Sequence, residues 1–149
     1  MHTRTIASPA GVLTLTEDGG CITGLHFGGS GSANDASPVL DEAEKQLQEY
    51  FAGTRRSFDL PLAPAGTPFQ RAVWDALRAI PYGETRTYAQ IAKAIGNPKA
   101  CRAVGMANNR NPIAILIPCH RVIGANGSLT GYAGGLDVKE RLLALEGAD

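Results

Sequence analysis

The chain is organised around Ile113-Ala114-Ile115-Leu116-Ile117-Pro118-Cys119-His120-Arg121-Val122. The first five residues of this segment are apolar and predict a buried, strand-like stretch. Pro118 favours an extended conformation at Ile117 and fixes its own φ, so we expect the chain to turn at Cys119. A thiol held at such a turn becomes a nucleophile when a neighbouring cation or base lowers its pKa.

Cys119 has two interpretations on the sequence alone. Free cysteines are among the most buried residues and often pack as small hydrophobes. However, His120 and Arg121 follow directly, and polar residues of this kind are an unusual way to fill a core. Neighbouring side chains do not normally face each other, so a pairing of Cys119 with His120 depends on the geometry of the turn. A packed thiol and a nucleophile both remain open at this point.

Composition predicts a soluble globular protein of one domain, or of one domain with a small companion. The chain has 149 residues, of which 44% are hydrophobic and 19% are charged. No apolar run approaches the roughly 20 residues that span a bilayer, and the N-terminus lacks a signal-peptide pattern. We therefore expect a cytoplasmic protein.

Three cysteines without CxxC spacing favour reduced thiols over a disulfide framework. Cys21 and His26 lie five residues apart, and both could contact a metal, but the sequence offers no convincing further ligands. The prediction is therefore no metal site.

The charges are distributed unevenly, although the formal net charge is zero. Between Thr85 and Leu136 there is no Asp or Glu, and six basic residues lie there, namely Arg86, Lys93, Lys99, Arg102, Arg110 and Arg121. Such a segment is typical of a surface that contacts phosphates, although solvated helix faces are the simpler alternative.

The N-terminal part predicts a β-meander with one helix. Strands are expected at 2–8, 11–17 and 21–27, separated by Gly-containing turns, and a helix is expected to begin at Pro38 and end before Gly53. A further strand is expected at 57–60. The Pro- and Ala-rich stretch after it reads as a linker, so the predicted domains are 1–62, ribonuclease-H-like by the resemblance described below, and 66–149.

The C-terminal part predicts mainly helices in a winged helix-turn-helix arrangement, which makes the whole chain α/β (α+β). Thr87 caps a short helix, and Asn97-Pro98 opens a second helix, the expected recognition helix. Val122-Ile123 and Leu129-Thr130 are expected to form a β-ribbon about the turn between them. The last helix is expected at 137–146, with Val138, Leu142 and Leu145 packed inward.

The motif set resembles the O6-alkylguanine-DNA alkyltransferases, which repair alkylated guanine by moving the alkyl group to their own cysteine. The resemblance is close from about Pro68 to Gly147 and looser in the N-terminal sheet. It rests on Pro81-Tyr82-Gly83-Glu84, Thr87-Tyr88, Gly96-Asn97-Pro98, Arg102-Ala103-Val104-Gly105, Asn111-Pro112, Ile117-Pro118-Cys119-His120-Arg121-Val122 and Gly134-Gly135.

The resemblance implies a single-turnover methyltransferase that acts on double-stranded DNA after base flipping. Cys119 would accept the alkyl group, His120 would act as base through a water, and Glu146 would orient His120. Tyr88 would donate a proton to the leaving guanine, and Asn111 would hold the turn. Activity on O4-alkylthymine stays open, and we expect a monomer.

The same resemblance implies residues for DNA and for the flipped base. Arg102 would fill the gap left by the flipped nucleotide. The acid-free basic stretch and the recognition helix add Ala100, Lys99, Arg86 and Arg121 as expected DNA contacts, and the expected base pocket is formed by Tyr132, Val122, Trp74 and Ala133. Packing in the core is the alternative for Trp74.

The chain departs from the family at four positions. Ala133 stands where some relatives have Ser, Asn108 and Asn109 replace apolar or basic residues, and Cys101 is uncommon beside Arg102. The sequence leaves three other functions as alternatives: a module that binds alkylated bases without reacting, a winged-helix regulator with a redox-sensing cysteine, and a cysteine hydrolase. The first would replace the acceptor cysteine, the second would bind one operator sequence, and the third needs an oxyanion site that the sequence does not supply.

Overall fold

A computed structural model describes residues 1–29, 32–129, 131–132 and 134–148. Its N-terminal part is a three-stranded antiparallel sheet in the order β1-β2-β3, formed by β1 (His2–Ser8), β2 (Gly11–Asp18) and β3 (Cys21–Phe27). Two tight turns connect the strands, as the glycines between them predict. The β-meander of the sequence analysis is therefore present.

A bulge in β3 turns the side chains of Ile22 and Leu25 towards the core. Glu17 of β2 pairs with Ile22 and Thr16 pairs with Gly24, which leaves Thr23 as an extra residue on β3. Ile22 and Leu25 are three residues apart, yet they are 0% and 1% exposed. The bulge thus lets β3 carry core residues on both sides of a change of register.

The sheet is hydrogen-bonded directly to the segment before Cys119. Leu25 N donates to Pro112 O at 2.9 Å, and Ala114 N donates to Leu25 O at 3.1 Å. The N-terminal sheet is therefore part of the framework that holds the candidate site.

Helix α1 (Pro38–Phe51) covers the sheet with an apolar stripe. Ser37 caps it by accepting from Leu40 N, and proline occupies the first turn. The strand expected at 57–60 is absent. Instead, Ile22 N donates to Pro61 O and Ala63 N donates to Ile22 O, both at 2.8 Å. Proline has no N–H to donate, so this Pro-rich stretch makes only an isolated parallel bridge with β3.

The second half contains helices α2 (Pro68–Arg78), α3 (Tyr88–Ala94), α4 (Cys101–Asn109) and α5 (Leu136–Glu146). Thr67 and Thr87 each form a complete capping box with a glutamine three residues later. Helix α4 begins later than predicted, because Asn97 O accepts only from Ala100 N, in a single turn, before the helix starts.

The predicted β-ribbon after Cys119 is wrong. Strand β5 (Val122–Ile123) pairs in parallel with β4 (Arg86–Thr87), and Leu129 lies in no strand; Thr130 lies outside the described residues. The turn itself forms, with Gly124 N donating to Ser128 O at 2.9 Å. Val122 is fully buried, so its backbone finds a partner inside the protein.

The buried apolar residues form one continuous cluster that joins the sheet, α1, α2, α4, α5 and the apolar segment before Cys119. None of the helices in the described part of the chain is long and apolar enough to cross a membrane.

Candidate active site around Cys119

Two tight turns in succession hold Cys119. Pro118 has φ −80° and ψ 64°, and Cys119 N donates to Ile117 O at 2.8 Å, which is an inverse γ-turn. A 3₁₀ turn then spans Cys119–Arg121, in which Arg121 N donates to Pro118 O at 3.0 Å. Cys119 is 5% exposed. The chain therefore turns where the proline predicts, with the thiol almost completely enclosed.

Asn111 holds the strained segment that leads to Cys119. Ile115 has φ +69°, which is rare for a β-branched residue and costs conformational energy. Asn111 Nδ2 donates to Ile117 O at 2.8 Å, and Asn111 Oδ1 accepts from Ile113 N at 3.0 Å. One side chain thus bridges the ends of the segment, and its amide acts to lower the pKa of the Cys119 thiol against the larger effect of burial.

Glu146 is the centre of a buried polar network. Its Oε2 accepts from the Tyr50 hydroxyl at 2.6 Å, from His120 Nε2 at 2.7 Å and from Arg121 Nη2 at 3.0 Å. Its Oε1 accepts from Arg121 Nε at 2.8 Å. Burial raises the pKa of this carboxyl, but the hydrogen bonds from His120 and Arg121 outweigh burial and lower the pKa to about 2. Glu146 is therefore ionised near neutral pH.

The ionised carboxylate determines the tautomer of His120. Burial lowers the pKa of the imidazole, although the bond to Glu146 acts in the opposite direction, so the ring is neutral near pH 7. Because the carboxylate can only accept, Nε2 must carry the proton. Nδ1 then has a free lone pair, and it is buried without a partner among the described residues. The ring presents an unprotonated base inside the site.

Cys119 is a thiol in the resting protein. Burial raises its pKa to about 11, and this effect exceeds the opposing influence of the Asn111 hydrogen bond and of the positive charge on Lys139. A buried thiol of this kind needs a base to remove its proton as it reacts. The unprotonated Nδ1 of His120 is such a base on the adjacent residue.

Two residues of the site were missed by the sequence analysis. Tyr50 belongs to α1, yet its hydroxyl donates to Glu146, so the N-terminal helix contributes to the network. Lys139 is 0% exposed, and its Nζ donates to Val122 O at 2.6 Å. Burial lowers the pKa of Lys139 to about 8, which still leaves it largely protonated at neutral pH. No sequence signal distinguishes Tyr50 from an aromatic residue on the apolar face of a helix, or Lys139 from a lysine on the surface.

A loop after β5 lies beside the site and packs on the N-terminal sheet. The rings of Tyr132 and Phe27 are 5.5 Å apart in an edge-on arrangement. The absence of a side chain at Gly134 is required here, because a Cβ would lie 2.7 Å from the Phe27 ring. The Tyr132 hydroxyl is buried without a partner among the described residues. Ala133, expected in the base pocket, lies outside the described residues.

Two expected roles are corrected by the structure. Arg121, expected on DNA, is buried: its guanidinium holds Glu146 and donates through Nη1 to Ile80 O at 2.7 Å. Trp74, expected in the base pocket, is a core residue that is 1% exposed and donates through Nε1 to Ala107 O at 2.9 Å. In both cases a buried partner satisfies the polar group that we had assigned to a ligand.

The outer face of α4 is exposed and carries positive charge. Arg102 and Arg110 lie on or beside it, Lys99 precedes it, and Met106 is 55% exposed between the two arginines. Ala100 is the N-cap of α4, and the Tyr88 ring packs beside Gly105. Arg86 is half-buried and pairs with Glu84 at 3.0 Å.

The two asparagines that depart from the family have different environments. Asn108 is 2% exposed, and its Nδ2 lies 3.5 Å from the Cys119 carbonyl, while its Oδ1 has no partner among the described residues. The side chain of Asn109 lies against Gly131. Asn108 therefore adds a polar group next to the candidate nucleophile.

No group of three or more His, Cys, Asp or Glu side chains in the described ranges could hold a metal ion. Cys21 is half-buried and Cys101 is exposed, and both are free thiols, as is Cys119.

Two family descriptions match the chain and together cover most of it. Residues 68–148 match "6-O-methylguanine DNA methyltransferase, DNA binding domain", and residues 1–64 match "6-O-methylguanine DNA methyltransferase, ribonuclease-like domain".

Individual relatives agree with the family match. A methylated-DNA–protein-cysteine methyltransferase of Methanosarcina acetivorans is 73% identical over 107 residues, which are 72% of this chain and 69% of the relative. The constitutive enzyme of that name from Bacillus subtilis is 50% identical over 153 residues, with 95% and 93% coverage. Mycobacterium tuberculosis OGT, solved in complex with DNA, is 51% identical with a TM-score of 0.91, over 99% of this chain and 94% of that one. The chain therefore belongs to the 6-O-methylguanine DNA methyltransferase family.

Proposed function

We propose that this protein repairs DNA by direct reversal, moving the alkyl group from O6 of guanine to Sγ of Cys119. The observation that carries this proposal is the buried pair of His120, the residue next to Cys119, and Glu146, in which an ionised carboxylate leaves the imidazole with an unprotonated and unpartnered nitrogen among the described residues. A reactive cysteine also favours chemistry over simple recognition, because a module that only binds alkylated bases has no need of one.

The reaction is a displacement at the alkyl carbon. The Cys119 thiol loses its proton to His120 Nδ1 through a water, and the sulfur forms a bond to the alkyl carbon as the carbon–O6 bond breaks. Glu146 stabilises the imidazolium that results, since its charge lies 2.7 Å from Nε2. Lys139 stabilises the developing thiolate electrostatically.

Tyr88 is proposed as the acid for the leaving base. Guanine departs as an anion unless it receives a proton, and a neutral leaving group departs more easily. Tyr88 begins α3, and its ring packs beside Gly105 of α4, the helix proposed to contact DNA. Asn111 keeps the nucleophile in place by its bonds to the segment before Cys119.

Base flipping is required because a thiol cannot reach the alkyl carbon in a stacked base pair. The exposed face of α4 supports a DNA contact. Arg102 is proposed to fill the gap that the flipped nucleotide leaves in the duplex, and Lys99, Ala100 and Arg86 are proposed to lie near the DNA backbone. Tyr132 and the backbone near Val122 are proposed to enclose the flipped base.

The product is a thioether, which water does not hydrolyse, so each molecule acts once. We further propose that the regions 1–62 and 66–149 are the two domains, that the protein acts as a monomer in the cytoplasm, and that no metal or cofactor takes part.

A labelled-methyl assay tests the proposal. Duplex DNA with O6-[³H-methyl]guanine is mixed with the native protein and with Cys119→Ser and Cys101→Ser. We expect protein-bound label to reach one methyl per molecule for the native protein and for Cys101→Ser, and to be absent for Cys119→Ser, while DNA binding persists in all three. Release of the label as methanol or continued turnover would contradict the proposal.

A further inference from the structure

A cavity behind the active site is lined by arginines. It has a volume of about 240 Å³ and lies between the stretch 56–62, the end of α2 and the segment 115–121. Its polar lining includes Arg56, Arg78, Arg121, Ser57 and Tyr82. No Asp or Glu is among the described residues that line it, although the chain has 14 acidic residues. The cavity is therefore strongly biased towards a negatively charged occupant.

Two of these arginines lack a carboxylate partner. Arg121 is neutralised by Glu146, at 2.8 Å. Arg56 and Arg78, both exposed, make no ion pair with any carboxylate in the described part of the chain. The Arg56 guanidinium instead lies 5.5 Å from the centre of the Tyr82 ring, and the Arg121 guanidinium lies 5.8 Å from the same ring. Tyr82 thus keeps Arg56 near the cavity without neutralising it.

We propose that this cavity binds a phosphate-type oxyanion between Arg56 and Arg78. A guanidinium donates in a planar fork that matches the oxygens of phosphate, and two such arginines lining one cavity would share one dianion. The volume accommodates a tetrahedral oxyanion with several waters. The same chemistry is offered by a free phosphate or phosphate ester and by a phosphate of the DNA backbone. The proposal goes beyond the proposed function, because neither arginine belongs to the proposed transfer machinery.

The two arginines come from different parts of the chain, so the cavity forms only when the N-terminal and C-terminal parts are packed together. Arg56 comes from the stretch that follows α1, whereas Arg78 is the last residue of α2. Ser57 of the first stretch and the end of α2 both line the cavity. An oxyanion held there would connect the N-terminal and C-terminal parts near Pro118.

Thermal unfolding with inorganic phosphate and pyrophosphate tests the free-anion source. The native protein, the double variant Arg56→Gln/Arg78→Gln and the matched control Arg71→Gln, an exposed arginine of α2 outside the cavity, are compared with chloride at equal ionic strength. At a concentration about 100-fold above Kd, we expect Tm to rise by several degrees in the native protein and the control, and not in the double variant. Arg56→Lys, which keeps the charge but loses the fork, should retain only part of the rise.

The DNA source is tested with the same variants. The dependence of log Kd on log salt is measured for undamaged duplex DNA, and loss of one or two phosphate contacts would reduce the slope by about 1–2 in the double variant alone. If the double variant loses the rise in Tm with phosphate but keeps the native salt slope, the ligand is a free anion. If the native protein shows no rise in Tm with phosphate and the double variant has a reduced salt slope, the ligand is a phosphate of the DNA backbone. The proposal is overturned if the double variant matches the native protein in both measurements, or if Arg71→Gln shows the same losses.

Discussion

Replacing Glu146 with Gln removes a buried negative charge while keeping the shape of the side chain. In the native protein the two carboxylate oxygens accept from Tyr50, His120 and Arg121 at 2.6–3.0 Å. An amide offers one oxygen and an NH₂ group, so at least one of these donors loses its acceptor. If the NH₂ faces His120, the ring must move its proton to Nδ1, and the lone pair that receives the thiol proton is lost.

The rate of alkyl transfer should therefore fall by about 10²–10⁴-fold. The lower figure corresponds to losing a general base, and the upper figure to fixing the imidazole in the wrong tautomer. DNA affinity should change little, because Glu146 is buried and does not reach the surface.

The same substitution should lower stability, with a definite pH dependence. The pKa of Glu146 falls from an ordinary value near 4.5 to about 2 on folding, so its stabilisation is present above about pH 4.5 and is lost as the pH falls towards 2. The shift corresponds to about 3 kcal/mol at neutral pH. The gap in unfolding free energy between native and Glu146→Gln should therefore be about 3 kcal/mol at pH 7 and shrink below pH 4.5.

Single-turnover transfer from O6-methylguanine duplex and urea unfolding measure these two effects. Glu140→Gln, an exposed carboxylate on the same helix, is the matched control and should leave both unchanged. A folded Glu146→Gln protein that transfers methyl at the native rate would refute the role of the His120–Glu146 pair.

Three other substitutions test separate parts of the description. Lys139→Met removes the buried charge near Cys119, so the pH dependence of thiol alkylation by iodoacetamide should move to higher pH, with transfer slower by on the order of tenfold, while an unchanged titration would argue against electrostatic support. Trp74→Phe loses the hydrogen bond to the Ala107 carbonyl and should lower the unfolding free energy by about 1–3 kcal/mol. Its transfer rate should stay unchanged, and a slower transfer in the folded variant would instead place Trp74 in the base pocket. Arg102→Ala should weaken binding to duplex DNA about 10–100-fold and slow transfer at low DNA concentration, whereas an unaltered Kd from fluorescence anisotropy would remove Arg102 from the interface.

The sequence predicted well those strands and helix ends that depend on only a few neighbouring residues. The three strands agree with their predicted bounds to within one residue, because alternation and Gly-containing turns act over a few residues. The helix cap predicted at Thr87 likewise depends on a signal of a few residues. Strand β4 is only two residues long, and its partner β5 is distant in sequence, so no local pattern could reveal that parallel pair.

The polar residues of the site show where such prediction fails. The buried face of α5 is Lys139, Leu142, Leu143 and Glu146, whereas the apolar stripe predicted Val138, Leu142 and Leu145. A helix usually turns Lys and Glu to solvent, and only tertiary partners reverse that preference. The family resemblance pointed to Glu146, but neither resemblance nor pattern pointed to Lys139.

Arg121 was misassigned for the same physical reason. Counting basic residues along the chain cannot separate a charge on the surface from one that is paired in the interior. The exposed charge of the acid-free stretch comes mainly from Lys93, Lys99, Arg102 and Arg110.

Mass spectrometry of the protein after reaction with O6-methylguanine duplex in molar excess tests the central claim most directly. Intact mass should show one added methyl per molecule and no more at any later time, and peptide mapping should locate that methyl on Cys119. An unmodified Cys119 beside repaired DNA, or methyl on Cys21 or Cys101 in its place, would contradict the account.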